Sequence, residues 1–289
     1  MGLRLKFNLV MLVIFLLGLG VTGYVSYDLL HKNARDEVLR NAGVMMEAAL
    51  SMRSYTVGQV RPLLPYDPDT FHPQSVPAYA ASAIMNQLRK KYTDYAYKEA
   101  ALNPTNPSNR AVEWETDIVN SFRNNAALTE VSGTRETPTG RSLYLARPFQ
   151  IKDKACLACH TNAEMAPAAM VRIYGPNNGF GWKHMEVIGA QIVSVPMALP
   201  IQNANRAFYT FMASLTAVFV ALFIILNIMM SALIVRPITS MSKAADEIST
   251  GNMEIPEFSE SGGDEVALLR KSFNRMRRSL EKAIELIEK

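Results

Sequence analysis

Two stretches of the chain carry no charged residue: residues 7–27, twenty-one in a row, and residues 207–235, twenty-nine in a row. Each exceeds the ~20 residues that an α-helix needs to cross the hydrocarbon layer of a bilayer, so both are expected to be transmembrane helices. A cleaved signal peptide is the competing reading for the first, but its apolar run is long and no A-x-A-like site follows it. Arg4 and Lys6 precede the first run, and Arg236 and Lys243 follow the second. Positive charge marks the cytoplasmic side, so both termini are expected there. The sequence then divides into a cytoplasmic start (1–6), a first span (7–27), an exported segment (28–206), a second span (207–235) and a cytoplasmic tail (236–289).

In the exported segment, apolar positions recur at Val38, Ala42, Met45, Ala49, Met52 and Thr56, with gaps of four and three that define one face of a helix. That helix is expected to continue the first span outward and to end before Pro62. A Pro- and Asp-rich loop over 62–77 follows. Further helices are expected over 78–91 and 111–125, separated by the turn-rich Asn103-Pro104-Thr105-Asn106-Pro107. Beyond residue 129 the texture becomes β, with alternating and β-branched residues over 142–149 and 186–196 and turns at Gly133, Pro138 and Gly140. Helices first and strands later predict an α+β domain around an antiparallel sheet.

The tail carries a different period. Ile238, Met241, Ala245 and Ile248 form a short stripe after Pro237, and Gly251-Asn252 ends it. Val266, Leu269, Phe273, Met276, Leu280, Ala283 and Ile287 then repeat every seven residues over three heptads. Two short amphipathic helices cannot bury such faces alone, whereas a parallel four-helix coiled coil in a homodimer would.

Candidate chemistry is concentrated in one place. The two cysteines of the chain stand three apart in Cys156-Leu157-Ala158-Cys159-His160, the C-x-x-C-H signature of covalent haem c attachment. Each thiol would add across one haem vinyl group, and His160 would bind the iron as proximal ligand. A structural zinc site wants four ligands and a second Cys pair that this chain lacks. A thioredoxin-like pair wants a βαβ setting, and a disulfide across two residues would be strained and would not explain His160. One covalent haem c is therefore the expected cofactor. Its attachment needs an exported, reduced thiol pair, which agrees with the topology drawn from the apolar runs.

The formal net charge is only +4, and no basic cluster is interleaved with aromatics, so nucleic-acid binding has no support. No G-x-S-x-G, H-E-x-x-H or phosphate loop is present, and an enzyme is not expected.

Residues 236–282 closely resemble a HAMP domain through Pro237, the Gly251 break and Asp264-Glu265-Val266 opening the second helix. The exported part resembles the DUF3365 (Tll-type) haem-c sensor domains over most of residues 35–200. The matching residues are Tyr55-Thr56, Val60-Arg61-Pro62-Leu63-Leu64, the run from Lys98 to Pro107, the Cys156 to His160 motif, Gly179-Phe180-Gly181-Trp182-Lys183, and Ile188 to Pro196. This resemblance implies a PAS-like fold in a membrane-bound signalling receptor.

For the distal side of the iron, Met52 is the leading candidate, with His72 and His184 as alternatives, and an open five-coordinate iron is a further possibility. His31 sits too near the membrane. Arg53, Arg61 and Lys98 could pair with haem propionates, and Tyr95, Tyr97, Phe180 and Trp182 could pack on the porphyrin.

The expected function is a transmembrane receptor of the bacterial inner membrane, its sensor domain periplasmic. It would sense redox state or a diatomic gas and relay it through the homodimeric cytoplasmic bundle. A membrane-anchored electron-transfer cytochrome is the alternative, although it has no need of the heptad tail. With no kinase or methyl-accepting module before Lys289, the output is expected in trans, through a docking partner, or in a longer chain of which this is a fragment. Arg270, Lys271, Arg275, Arg277 and Arg278 are a candidate docking face, or the solvated exterior of a coiled coil.

Overall fold

The computed structural model describes residues 2–64 and 69–287, with the side chain of Ile287 left undescribed. Residues 65–68, inside the loop expected over 62–77, lie outside the described residues, as does the docking end at Lys289.

The contacts divide the chain into two units, residues 28–207 and the combination of residues 1–27 with 208–289. The first unit is built around four strands, β1 (Ala96–Ala101), β2 (Val131–Thr137), β3 (Gly140–Gln150) and β4 (Val187–Pro196). They form one antiparallel sheet in the order β1-β4-β3-β2. Period-two alternation gives the sheet two apolar faces. Leu143, Leu145, Val193 and Val195 point to one face and pack on Val38, Ala42 and Met46 of α1 (Leu3–Tyr55). Ala100, Ala146, Ala190 and Ile192 point to the other and pack on Ile118, Val119 and Phe122 of α3 (Glu113–Asn124). The fully buried methionine of α1 is Met46, not the Met45 of the expected stripe, because 3.6 residues per turn lets the buried face drift along a long helix.

The end of α1 departs from α geometry. After Tyr55 the chain makes a π-helical turn (Thr56–Val60) and then a 3₁₀ turn (Arg61–Leu63) with Pro62 inside it. Helix α2 (Pro77–Arg89) lies against this end through Ala81 and Met85, which pack on Ala49. Between β3 and β4 the chain makes a short turn of helix, α4 (Leu157–His160), and then α5 (Ala168–Tyr174). This long excursion beyond the sheet carries the cysteine motif.

In the other unit, α6 (Ala198–Met230) continues through a π-helical turn (Ser231–Val235) into α7 (Arg236–Ser249), and α8 (Glu265–Ile287) follows a connector. Gly251 takes φ +93° just past α7, a conformation that suits a residue without Cβ and stops the helix. The most apolar windows of the two spans have mean hydropathies of 2.3 and 2.8, and 6% and 11% of them are buried within the chain. Surfaces that apolar and that exposed are suited to lipid rather than to water.

The connector is fastened to α8 by polar side chains. Asn274, fully buried, donates from Nδ2 to the Phe258 carbonyl (2.8 Å) and accepts from the Phe258 amide (3.2 Å). Arg277 donates to the carbonyls of Ile255 and Met253 and pairs with Glu281, while Arg278 faces Glu257 and Glu260. Two members of the expected basic docking face are thus occupied within the chain. Ala244, rather than Ala245, is the buried alanine of α7, and Leu269, Met276 and Leu280 of the heptad stripe stay exposed.

Candidate functional site

The cysteine motif is held on a tight turn. Asp153 accepts the Ala155 amide at 2.8 Å and starts a 3₁₀ turn (Lys154–Cys156) that runs into α4. Cys156 and Cys159 are free thiols, half-buried, one helical turn apart. Burial pushes both thiols above the ordinary value; the Asp153 carboxylate adds to this at Cys156 and Cys156 itself at Cys159. The Arg61 guanidinium opposes the rise at both, and Arg53 also does so at Cys156.

His160 ends the turn and is fixed from three sides. Its Nδ1 stands 2.7 Å from the Gly179 carbonyl, which makes Nδ1–H the donor and leaves Nε2 as a free lone pair. Trp182 stacks on the imidazole at 3.9 Å with planes 16° apart, and the Trp182 amide donates to the His160 carbonyl. Burial lowers the pKa of His160, against the opposing influence of the Gly179 carbonyl, so the neutral ring is favoured.

The carbonyl that orients His160 is itself held by a distant segment. Asn103 accepts the Gly179 amide through Oδ1 and donates to the Phe180 carbonyl through Nδ2, both at 3.2 Å. Arg110 adds a bond to Asn178 at 2.8 Å. Gly179 sits at φ +84°, and a Cβ there would come within 2.1 Å of Thr105 Oγ1 and 2.7 Å of Thr105 Cα, so the Asn103 to Pro107 turn can approach only a glycine.

The other expected site residues are dispersed. Met52 packs beside Ala49, Ala81 and Met85 and lines a groove of about 520 Å³ between α1 and α2, shared with Tyr55, Thr56, Gln74 and Tyr79 and with no residue of the Cys156 to His160 turn. His72 precedes a 3₁₀ turn (Pro73–Ser75) in a segment tied to α5, where Arg172 donates to the Asp69 carbonyl and Phe71 meets Tyr174 edge-on. His184 is exposed, its Nε2 3.2 Å from the Lys152 carbonyl. Lys98 is drawn away to Glu115 at 2.6 Å, and Arg53 is engaged by Glu99. Arg61 Nε reaches the Ser75 carbonyl at 3.3 Å, which joins the end of α1 to the His72 segment. Asn103, Gly179 and Glu99 are the site residues that sequence reasoning did not single out as such, although all three lie in the stretches that carry the family resemblance.

The fold and this site define an α+β domain that carries a Cys-x-x-Cys-His turn, flanked by two apolar helices and followed by two amphipathic helices. Its family follows from comparison with known proteins. The Tll0287-like family model matches residues 31–196 and the HAMP domain model residues 229–282; the chain belongs to the Tll0287-like family and continues into a HAMP domain. A relative, the sensor histidine kinase WalK of Bacillus subtilis (strain 168), is 29% identical over 122 residues, 42% of this chain. The chain spans a fifth of that relative's length. Among solved structures, the cyanobacterial heme-protein Tll0287 aligns over 55% of this chain and 95% of its own, with a TM-score of 0.44 and 18% identity.

Proposed function

We propose that this chain belongs to a transmembrane signalling receptor, carries one covalent haem c in its sensor domain, and reports the redox state of the iron, or a diatomic gas bound to it, through the HAMP domain to a partner in trans or to an output domain of a longer chain. The single observation that carries the reading is the His160 turn. Two free thiols one turn apart flank an imidazole whose Nδ1 is committed to Gly179, which leaves Nε2 available to iron. These residues fit the group on donor chemistry alone: sulfur for two vinyl carbons, neutral imidazole for the metal.

Cys156 and Cys159 would each add S–H across a vinyl double bond, with no electron gained or lost. His160 would hold the metal in an orientation set by the Gly179 carbonyl and the Trp182 ring. A haem held there supplies an iron that exchanges single electrons and binds small diatomic ligands where an axial position is open. For the far side of the iron Met52 is our proposal, with His72, His184 or an open position as alternatives, and the groove that Met52 lines contains no residue of the Cys156 to His160 turn. Burial raises the pKa of both thiols, which favours the S–H form that such an addition uses.

Charge asymmetry supports a periplasmic sensor domain and a cytoplasmic HAMP domain, in the bacterial inner membrane. Homodimerisation through HAMP is supported by the exposed stripe of α8, which needs a second copy to be covered.

An electron-transfer cytochrome would need the haem and no tail. Deleting residues 238–289 should therefore leave the absorption spectrum and its redox change intact while abolishing a haem-dependent signalling response in cells. A signalling response that survives the deletion would contradict the receptor reading.

A further inference from the structure

We propose that Asn103 is the positioning residue of the His160 turn: its carboxamide holds the Gly179 carbonyl on the imidazole and so keeps the ring proton on Nδ1 and the lone pair on Nε2. The use of that lone pair by iron rests on the haem reading above; the choice of tautomer does not.

The strip that carries the carbonyl is not held by its own sterics. Gly179 and Gly181 take φ +84° and +79° on either side of Phe180, and glycine constrains its neighbouring peptides least. Tertiary bonds must therefore fix the strip. Two of them lead back to the ligand turn, from the Gly181 amide to the Thr161 carbonyl (3.0 Å) and from the Trp182 amide to the His160 carbonyl (3.3 Å). Those bonds travel with His160 and cannot set the strip against the sheet.

Asn103 supplies the hold from outside. Its Oδ1 accepts the Gly179 amide and its Nδ2 donates to the Phe180 carbonyl, both at 3.2 Å. The first group belongs to the peptide before the orienting one and the second to the peptide after it, so one side chain brackets the Gly179–Phe180 unit. Asn103 is itself fixed to the sheet, two residues past the end of β1, where the Leu102 amide donates to the Ile188 carbonyl of β4 at 3.4 Å.

A competitor stands beside the imidazole. Thr105 Oγ1 lies 3.4 Å from Nδ1, against 2.7 Å for the Gly179 carbonyl. A carbonyl only accepts, so it demands the proton on Nδ1, whereas a hydroxyl also donates. Where the carbonyl withdraws, the Thr105 hydroxyl is placed to donate to Nδ1, and the ring proton then moves to Nε2, the nitrogen a metal would use. Asn103 decides between the two partners by keeping the carbonyl close.

The test is solid-state NMR of the full chain in lipid, expressed without haem c maturation, with labelled histidine, above the pH at which imidazole protonates. The chain has four histidines, and His160→Gln identifies the signal. The parent is expected to show the Nδ1–H tautomer at His160. Asn103→Ala is expected to lower the ratio of Nδ1–H to Nε2–H roughly fivefold, the weight of one ordinary hydrogen bond. Asn178→Ala removes the Arg110 contact to the same strip (2.8 Å) but neither bond of Asn103, and is expected to leave the ratio at the parent value. If Asn103→Ala does not fold, Asn103→Asp, which keeps the acceptor and loses the donor, carries the test and is expected to lower the ratio in the same direction. An Nε2–H parent, an unchanged ratio in the Asn103 variant, or an equal fall in Asn178→Ala would overturn the proposal. A parent that takes up no covalent haem when matured would overturn the haem reading and leave the tautomer assignment standing.

Discussion

His160 is oriented by an atom nineteen residues away. The Gly179 carbonyl accepts a hydrogen bond from Nδ1–H and thereby aims Nε2. Gly179→Ala places a Cβ on Thr105 and an L-residue at φ +84°. The backbone conformation alone costs about 1–2 kcal/mol, and relieving the clash must also shift the carbonyl. We expect a lower melting temperature and a perturbed haem spectrum together. His160 also makes the cofactor-free chain sensitive to acid. Its pKa is lowered by burial, so the unfolded state binds the proton first; the folded chain therefore loses stability as pH falls below 6.5 and holds it above. In a Cys156→Ala/Cys159→Ala background the melting temperature should drop through that window, and His160→Phe should remove that part of the drop. Cys156, Cys159 and His160 were legible in the sequence because their chemistry is local, a spacing of three and a neighbour. Asn103 and Glu99 were not, since their partners stand 76 and 46 residues away and nothing in a linear pattern announces such pairings.

Among the elements, those with a long apolar period were readable, as α1, α3, β3, β4 and α8 show. Strand β1 was missed for a physical reason. Its sequence, Ala96 to Ala101, carries Lys98 and Glu99 side by side, which reads as polar surface, yet each is neutralised by a tertiary ion pair, to Glu115 and Arg53. The edge strand β2, with alternating half-buried and exposed positions, and the short α5 give equally weak local signals. Helix α8 shows the reverse case, in which the pattern was clear and the single chain leaves it unsatisfied. Leu280 is 42% exposed and Met276 57%, positions a stable soluble helix would cover. A Leu280→Cys variant should form a disulfide-linked dimer rapidly on mild oxidation of isolated membranes, visible as a doubled mass on a non-reducing gel. A variant that remains monomeric would argue against HAMP pairing at this position.

Across the whole molecule, the order of parts gives the function its direction. A ligand turn hangs beyond a sheet, the sheet packs on α1, and α1 bears an apolar run, as does α6 before the HAMP helices. A bundle with two packings of similar energy is the bistable element such an arrangement can bias. The Tll0287-like match precedes the HAMP match along one polypeptide. What the thiols hold decides the proposed function. Membranes containing the full chain, expressed with a haem c maturation system, should yield a denatured band that stains for covalent haem, and Cys156→Ala/Cys159→Ala should yield none at equal protein. A parent band without stain, or a double variant that keeps it, would contradict the assignment.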